Sequence, residues 1–336
     1  MSTVKKYLSL IKFSHTIFAM PFALIGFFLA LSRIFPVGKD GVGQWNLNKT
    51  IGWGQEGGSR KIVNISNDSL FFEIVKGENS IVIISKYFFL VVLCMIFARS
   101  AAMSFNRYLD RSFDAKNPRT AIREIPAGIL KANNVLLFTI INCILFIACT
   151  FFINRLCFYL SPVALFVVLG YSYTKRFTPL CHLILGLGLS LAPIGAYLAV
   201  TGRFNLLPLL FSFAVIFWVS GFDIIYALQD EEFDKSQKLY SIPAWLGKTK
   251  GLRVSEVLHL LSAACVVFAG IAGGFGWLYW IGVAVFIGML VYQHSIVKPN
   301  DLRRVNLAFM TANGIASVVF AIFVIADLFL NTHSWF

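Results

Sequence analysis

Charged residues are scarce in this sequence of 336 residues. Asp, Glu, Lys and Arg together make up 13% of it, whereas soluble domains contain about 25%. Hydrophobic residues make up 58%, and apolar runs of about 18 to 25 residues recur from one end to the other. This composition excludes an ordinary water-soluble domain and predicts an integral membrane protein.

The alternation of polar and apolar residues that is typical of membrane β-strands is also missing. Segments inside a bilayer must satisfy their own backbone hydrogen bonds, so long apolar runs form helices. The sequence therefore predicts an all-α, polytopic membrane protein with nine transmembrane helices. The expected spans are 10–32, 84–106, 134–154, 157–174, 181–200, 206–228, 256–275, 277–296 and 306–330.

Motifs of several common site types are absent. The six cysteines form no CxxC pair and have no metal-ligand spacing, so we interpret them as small packing residues. The sequence contains no GxSxG, no HExxH and no glycine-rich phosphate loop ending in Lys-Ser or Lys-Thr. The five histidines are scattered, and His15 and His182 are the best placed for a direct role.

Basic residues outnumber acidic residues by 29 to 16. If the N-terminus is inside, most of them lie in the N-terminal segment and in the loops after spans two, four, six and eight. The short loops on the other side hold only Arg155 and Arg203. This asymmetry predicts a cytoplasmic N-terminus in a bacterial inner membrane. We attribute the net charge of +13 to basic residues that orient the chain in the membrane, so we expect no nucleic-acid partner.

We expect one membrane domain over residues 1–336, with the Gly-, Asn- and Ser-rich stretch 33–80 as an extracytoplasmic loop insertion. The first helix has no small-residue cleavage site after it and is interpreted as retained. Small residues in span five, namely Gly186, Gly188, Ala192 and Gly195, predict close helix packing.

Two acidic runs follow predicted spans. Asn106, Asp110 and Asp114 are spaced i, i+4 and i+8, which places an amide and two carboxylates on one helical face. The second run has the same kind of spacing and consists of Asp223, Tyr226, Asp230 and Asp234. Acids at the ends of membrane helices are costly and therefore indicate a functional site. The predicted topology places both runs on the cytoplasmic side.

Two carboxylate faces suggest divalent cations that hold a polyanion. Mg²⁺ prefers oxygen ligands and usually binds through one or two carboxylates together with substrate phosphates. A diphosphate would fit between the two runs, because bases surround them. These bases are Arg107, Arg111, Lys116, Lys175, Arg176, Lys235 and Lys238.

The motifs resemble those of a known family. The segment from Asn106 to Asp114, continuing through Asn117-Pro118-Arg119-Thr120 and Arg123-Glu124-Ile125-Pro126, is similar to the first signature of the UbiA superfamily of intramembrane prenyltransferases. The run from Asp223 to Asp234 resembles the second signature. Tyr171-Ser172-Tyr173-Thr174-Lys175-Arg176 resembles the short motif between them. Order and spacing agree over nearly the whole chain except the 33–80 loop.

The resemblance implies nine helices around a central cavity and Mg²⁺-dependent transfer of a prenyl chain from a diphosphate to an aromatic acceptor. It assigns one Mg²⁺ to Asn106, Asp110 and Asp114, and the other to Asp223, Asp230 and Asp234. It places Tyr226 near the ionising carbon. Diphosphate oxygens are assigned to Lys116, Lys175 and Arg176, and Arg107 is a further candidate. Arg99, two turns before Asn106, is our candidate partner for an acceptor carboxylate.

The segment 11–23 resembles the 4-hydroxybenzoate polyprenyltransferase-like branch, which includes enzymes suspected of acting on a naphthoate. Either acceptor leads to a respiratory quinone. A haem-type or other lipid branch is an alternative, although the haem branch lacks this Asp/Tyr pattern. An ion-coupled transporter would have its ionisable groups near the bilayer midplane, and these acids lie at helix ends. A phospholipid head-group phosphotransferase would have paired glycines among its aspartates.

Overall fold

The computed structural model describes residues 3–11, 18–34 and 80–330, and the structural statements concern these residues. Residues 35–79 of the predicted insertion, together with Lys12 and His15, lie outside the described residues.

Twelve α-helices and no β-strand occur in the described residues. The helices are α1 (Thr3–Leu10), α2 (Met20–Ile34), α3 (Ser80–Leu109), α4 (Arg111–Lys116), α5 (Ala132–Ile153), α6 (Arg155–Thr174), α7 (Cys181–Thr201), α8 (Leu206–Ala227), α9 (Glu231–Ser236), α10 (Ile242–Ala272), α11 (Trp277–Ile296) and α12 (Asn313–Leu330). A 3₁₀ turn, Leu228–Asp230, joins α8 to α9. A π-helical turn, Leu307–Ala312, leads into α12.

The prediction of an all-α polytopic membrane protein is confirmed. Eight helical segments among the described residues are long and apolar enough to cross a membrane, and they contain α3, α5, α6, α7, α8, α10, α11 and α12. The first predicted span, 10–32, is not one continuous helix among the described residues. Helix α1 ends at Leu10, and the separate apolar helix α2 begins at Met20 and has 15 residues.

The predicted start of the seventh span is wrong. We expected residues 256–275, and the helix begins at Ile242. Lys248, Lys250 and Arg253 lower the hydropathy of its first turns, so a search for apolar runs excludes a segment that is nonetheless helical. Gly247 bends the helix there, with a φ of 78° that favours glycine.

Aromatic side chains fill the part of the bundle formed by α2, α8, α11 and α12. Trp218 lies between Phe22 and Phe286, with ring centroids 5.3 and 5.8 Å away. Phe286 in turn contacts Phe320 at 5.2 Å, and all four side chains are fully buried. Tilted and edge-on contacts of this kind suit the aromatic quadrupole. This part of the bundle is therefore densely packed.

A buried polar network fixes the turn before α12. The Asn313 amide oxygen accepts hydrogen bonds from Trp218 Nε1 and Gln293 Nε2, both at 2.8 Å. The Asn313 Nδ2 group donates to the carbonyl of Phe309 at 3.1 Å. The π-helical turn therefore has a defined geometry, and it places the Phe309 ring 4.4 Å from the ring of Tyr226.

A cavity of about 370 Å³ lies between α3, α5, α6 and α7. Its wall includes Met103 and Tyr171 near the acidic runs, and Ile153 and Phe204 at the opposite end of the bundle. From Leu185 to Leu198 of α7 the cavity extends about 20 Å, at 1.5 Å per residue. The expected cavity is present, and it lies among these four helices.

The predicted packing role of the span-five glycines holds at Gly186 only. A Cβ atom at Gly186 would lie 2.5 Å from the Ile216 carbonyl oxygen of α8, so only glycine allows this approach. At Gly195 a Cβ would meet no atom within 4 Å, and at Gly188 it would meet only Val168, at 3.9 Å. Both glycines line the cavity instead.

Candidate active site

The first acidic run continues across a change of helix. Helix α3 ends at Leu109, and α4 begins after Asp110. The Asp110 N–H donates to the Asn106 carbonyl at 2.9 Å, and the Asp114 N–H donates to the Asp110 carbonyl at 2.8 Å. These i to i+4 bonds preserve the helical register. The Asn106 amide also donates to Asp110 Oδ2 at 3.1 Å.

Asp110 is the most enclosed acid of the site, with 1% of its surface exposed. Lys175 Nζ lies 2.8 Å from its Oδ2, and Arg176 Nη2 lies 3.1 Å from its Oδ1. Arg176 is held in place because it also donates to the Leu109 carbonyl. A buried charge requires such partners. The motif after α6 therefore contacts the first acidic run directly.

Asp114 has one satisfied and one unsatisfied oxygen. Arg123 Nη1 donates to its Oδ1 at 2.6 Å, whereas its buried Oδ2 has no hydrogen-bond partner among the described residues. Arg107 lies within electrostatic reach of Asp114 and is 3% exposed. Its Nε is likewise buried and unpartnered within this part of the chain. This corner of the site therefore has unused capacity for both a cation and an anion.

The second acidic run is divided by the 3₁₀ turn, so it is not one continuous α-helix. Its central acid, Asp230, is held by the loop that follows the first run. Arg119 donates to both carboxylate oxygens, its Nε at 3.0 Å from Oδ1, and its Nη1 donates to the Tyr226 hydroxyl at 2.8 Å. Asn117 Nδ2 donates to the same Oδ1 at 3.2 Å. These contacts join the two runs.

The charge of Arg119 is stabilised by this arrangement. Burial disfavours the charged guanidinium, but the attraction of Asp230 and Tyr226 and the hydrogen bonds to both outweigh it. The pKa of Arg119 is therefore raised above its ordinary value. The guanidinium also lies 5.1 Å from the centre of the Tyr226 ring, within the range of a cation–π contact.

Asp223 is oriented by a buried histidine. His182 Nδ1 lies 2.7 Å from Asp223 Oδ2. The Ile242 N–H donates to His182 Nε2 at 3.3 Å, so Nε2 is the acceptor. The proton therefore resides on Nδ1, and His182 donates it to Asp223. This chain of bonds ties α7, α8 and the beginning of α10 together.

Other contacts bring the loops of the two runs together. Lys116 Nζ donates to Gln237 Oε1 at 3.3 Å, and the Tyr240 N–H donates to the Lys175 carbonyl at 2.7 Å. The hydroxyl of Ser241 lies beside the Asp234 carboxylate. The structure thus gathers the predicted acids and the bases Lys116, Lys175 and Arg176 at one end of the bundle.

The described residues contain no cluster of three His, Cys, Asp or Glu side chains arranged to hold a metal ion. Each acid is instead held apart by its own neighbour: Asp110 by Lys175, Asp114 by Arg123, Asp223 by His182 and Asp230 by Arg119. The donor set nevertheless fits Mg²⁺, because carboxylate and amide oxygens are its preferred ligands. The unpartnered Oδ2 of Asp114 is an oxygen that a cation would satisfy.

Arg99 lies away from the acids, in the wall of the cavity. Its Nε is buried and has no hydrogen-bond partner among the described residues. Tyr171 is its electrostatic neighbour. Among the described residues that line this mostly apolar space, it is the one that is charged. From Asn106 it is separated by about 10 Å along α3, at 1.5 Å per residue.

Comparison with known proteins identifies the family of the chain. The family model described as the UbiA prenyltransferase family matches residues 77–325. The chain belongs to the UbiA prenyltransferase family. This protein is therefore a prenyltransferase, and the two acidic runs both lie inside the matched region.

Curated relatives and solved structures extend the comparison. The 4-hydroxybenzoate octaprenyltransferase of Nitrosospira multiformis is 29% identical over 230 residues, 68% of this chain and 79% of the relative. That of Paraburkholderia phymatum is 31% identical over 238 residues, 69% and 82%. A UbiA homolog from Aeropyrum pernix K1 has the same fold, with a TM-score of 0.68, 24% identity and coverage of 94% and 97%. A UbiA homolog from Archaeoglobus fulgidus bound to DMAPP and Mg²⁺ has a TM-score of 0.65, 16% identity and coverage of 96% and 99%.

Sequence reasoning missed the roles of Arg119 and Arg123. We included both in the segment that resembles the first signature but assigned neither of them a contact with an acid. Their sequence signal is proximity to Asn117-Pro118, directly after the first run. His182 was singled out only as a well-placed histidine, because nothing in its spacing points to Asp223, 41 residues away.

Proposed function

We propose that this UbiA-family enzyme transfers a polyprenyl group from a polyprenyl diphosphate to an aromatic acid, with release of diphosphate. The acceptor would be 4-hydroxybenzoate or a dihydroxynaphthoate, and the product a quinone precursor. The observation that carries the proposal is the continuity of two environments. A polar end rich in acids and bases meets an apolar cavity about 20 Å long, at 1.5 Å per residue.

The polar end would bind the diphosphate. Lys175 and Arg176 already converge on Asp110, and Lys116 and Arg107 flank the same run. Asn106, Asp110 and Asp114 would hold one Mg²⁺, and Asp223, Asp230 and Asp234 the other. Bound Mg²⁺ neutralises charge on the departing diphosphate. The bases stabilise the same charge through hydrogen bonds fixed before the reaction begins.

The cavity would bind the isoprenoid chain and the acceptor. Its wall is almost entirely apolar, so it favours a hydrocarbon chain and excludes water. Arg99 would pair with the acceptor carboxylate, since its buried Nε lacks a partner among the described residues. The names of the relatives support an aromatic acid as acceptor.

The chain's own residues would then control the reaction. As the bond between the allylic carbon and the diphosphate oxygen breaks, its electrons leave with the diphosphate. The electron-rich acceptor ring forms the new carbon–carbon bond, and the attacked ring carbon then loses its proton to the released diphosphate, which restores the aromatic ring. Tyr226, fixed by Arg119 and by the Phe309 ring, would line the site near the positive allylic carbon. Exclusion of water protects that carbon from hydrolysis.

We also propose that the acidic runs face the cytoplasm of a bacterium. The basic loops that border the site support this orientation, since positive residues are retained inside. The donor and acceptor would then reach the site from the cytoplasmic side, and the chain would extend into the membrane.

The test compares wild type with Asp110→Asn in membranes supplied with Mg²⁺, a polyprenyl diphosphate and 4-hydroxybenzoate or dihydroxynaphthoate. Asp301→Asn is the matched control, because Asp301 forms an exposed ion pair with Arg303 outside the site. We expect product from wild type and the control and not from Asp110→Asn. Undiminished transfer by Asp110→Asn would refute the metal assignment. Absence of product with either acceptor from folded wild type would refute the proposed acceptor class.

A further inference from the structure

Helix α7 contains glycines of two different kinds. Gly186 is needed for packing, because a side chain there would collide with the backbone of α8. Close packing does not require glycine at Gly188 or at Gly195. A Cβ at Gly195 would enter open space, and one at Gly188 would touch only Val168 at ordinary contact distance.

Glycine in a helix interior lowers stability relative to alanine. Packing does not explain that cost at Gly188 and Gly195, since neighbouring helices leave room for a side chain. Both glycines line the cavity between α3, α5, α6 and α7, and the lack of a side chain at each position makes the cavity larger. Ala192 and Ala196 line the same side and continue the open wall.

The two glycines lie at different depths. Helix α7 begins at the acidic end, where His182 contacts Asp223. At 1.5 Å per residue, Gly188 lies about 9 Å along the helix from His182, and Gly195 lies about 20 Å along it. They are seven residues apart and therefore share one face. An extended chain that starts at the acidic runs would pass Gly188 first and Gly195 later.

The charge and polarity of the cavity wall indicate which kind of ligand it can bind. Arg99 is the one charged residue in its wall, and its buried Nε has no hydrogen-bond partner among the described residues. The rest of the wall is mostly hydrocarbon, sulfur and aromatic surface, with the hydroxyl-bearing residues Thr150, Ser161 and Tyr171 among its lining. A long apolar ligand matches the apolar wall, and an anionic group bound near the acidic end matches the unpartnered Nε of Arg99.

We propose that Gly188 and Gly195 determine which isoprenoid chain lengths the enzyme accepts, by keeping two successive points of the chain's path open. The inference rests on the proposed function and specifies its donor. A side chain at either position would fill the path and exclude chains that extend beyond it. The position nearer the acidic runs would exclude shorter chains as well.

The experiment compares Gly188→Leu and Gly195→Leu with wild type. The control is Gly288→Leu, because Gly288 lies on the exposed side of α11 with no atom within 4 Å of its Cβ position, and it does not line the cavity. Transfer is measured with geranyl, farnesyl, geranylgeranyl and octaprenyl diphosphate in separate reactions, with the acceptor that wild type uses. The melting temperature of each purified variant reports folding.

We expect Gly195→Leu to retain transfer from the shorter donors and to lose about tenfold or more in kcat/KM with octaprenyl diphosphate. Gly188→Leu should lose transfer at a shorter chain length, and Gly288→Leu should match wild type. A purely structural effect would lower all donors equally and leave their ratio unchanged, and that result would overturn the proposal. A cut-off at the same length in both variants would also overturn it.

Failure of the proposed function would look different. In that case wild type and Gly288→Leu would transfer none of the four prenyl groups, and this inference would fail with it. Transfer by wild type with an unchanged donor ratio in Gly195→Leu would refute the role of the glycines alone.

Discussion

Arg119 contacts both carboxylate oxygens of Asp230, a residue 111 positions further along the chain. The same guanidinium donates to the Tyr226 hydroxyl. One side chain thereby joins the loop after the first acidic run to two members of the second. Together with the Asn117–Asp230 hydrogen bond, this contact holds the two runs beside each other.

We expect Arg119→Gln to weaken diphosphate binding and to ease metal binding. The variant removes a positive charge from the site and releases Asp230 for a cation. The KM for prenyl diphosphate should rise about tenfold, because the site loses a positive charge that attracts the anionic donor. The Mg²⁺ concentration that gives half-maximal rate should fall. Mg²⁺ and donor titrations of prenyl transfer measure both. Arg303→Gln is the control, since Arg303 has an analogous but exposed pair with Asp301.

His182 is expected to act as a positioning residue through its Nδ1 proton. In His182→Asn the amide nitrogen can replace Nδ1–H as the donor to Asp223, whereas in His182→Gln the amide reaches the Nε2 position and leaves Asp223 without it. Asn should therefore retain more activity than Gln. The loss in kcat/KM for Gln should be about tenfold to a hundredfold, since the loss of a hydrogen bond to a charged group costs about 1.5–3 kcal/mol. Equal activities would contradict this role.

Gly186 and Gly288 should differ in their tolerance of alanine. At Gly186 the added Cβ would lie 2.5 Å from the Ile216 carbonyl oxygen and 2.6 Å from Ser220 Oγ. Overpacking of this kind costs about 1–3 kcal/mol, so Gly186→Ala should lower the melting temperature of the purified protein. At Gly288 the Cβ meets no atom within 4 Å, and alanine should leave the melting temperature unchanged or raise it. The reverse order would show that the close approach of α7 and α8 is not needed.

Two cysteines provide a direct probe of the cavity. Cys94 and Cys157 line it, whereas Cys143 and Cys265 do not. A prenyl diphosphate should slow alkylation of the first pair by a membrane-permeant maleimide and leave the second pair unaffected. Mass spectrometry of peptides from the labelled protein measures each site. Equal protection of all four thiols, or of none, would place the prenyl chain elsewhere.

The sequence was sufficient for the fold class and for the acids, because both depend on local patterns. A long apolar run indicates a helix by itself, and the spacing of Asp110 and Asp114 needs only one helix. Hydropathy does not predict the part of a helix whose residues are not mainly apolar, as between Ile242 and Arg253. The division of the second run by a 3₁₀ turn was likewise not visible, since a spacing pattern does not report one tightened turn.

Contacts between residues that are far apart in the sequence were not predicted. The pairs Arg119–Asp230 and His182–Asp223 depend on how helices are arranged, and a basic residue in a loop can serve topology or a site. The span-five glycines illustrate the same limit. Gly186 and Gly188 are two residues apart in one apolar segment. Gly186 packs against a neighbouring helix, whereas Gly188 lines the cavity.

The cavity also has a consequence for the stability of the enzyme. The aromatic part of the bundle, around Trp218 and Phe286, is packed without any ligand. The part formed by α3, α5, α6 and α7 instead borders a partly open cavity of about 370 Å³. If the prenyl chain binds there as proposed, it is a removable portion of the hydrophobic core. Each catalytic cycle would unpack and repack one side of the molecule while the other side acts as a rigid frame.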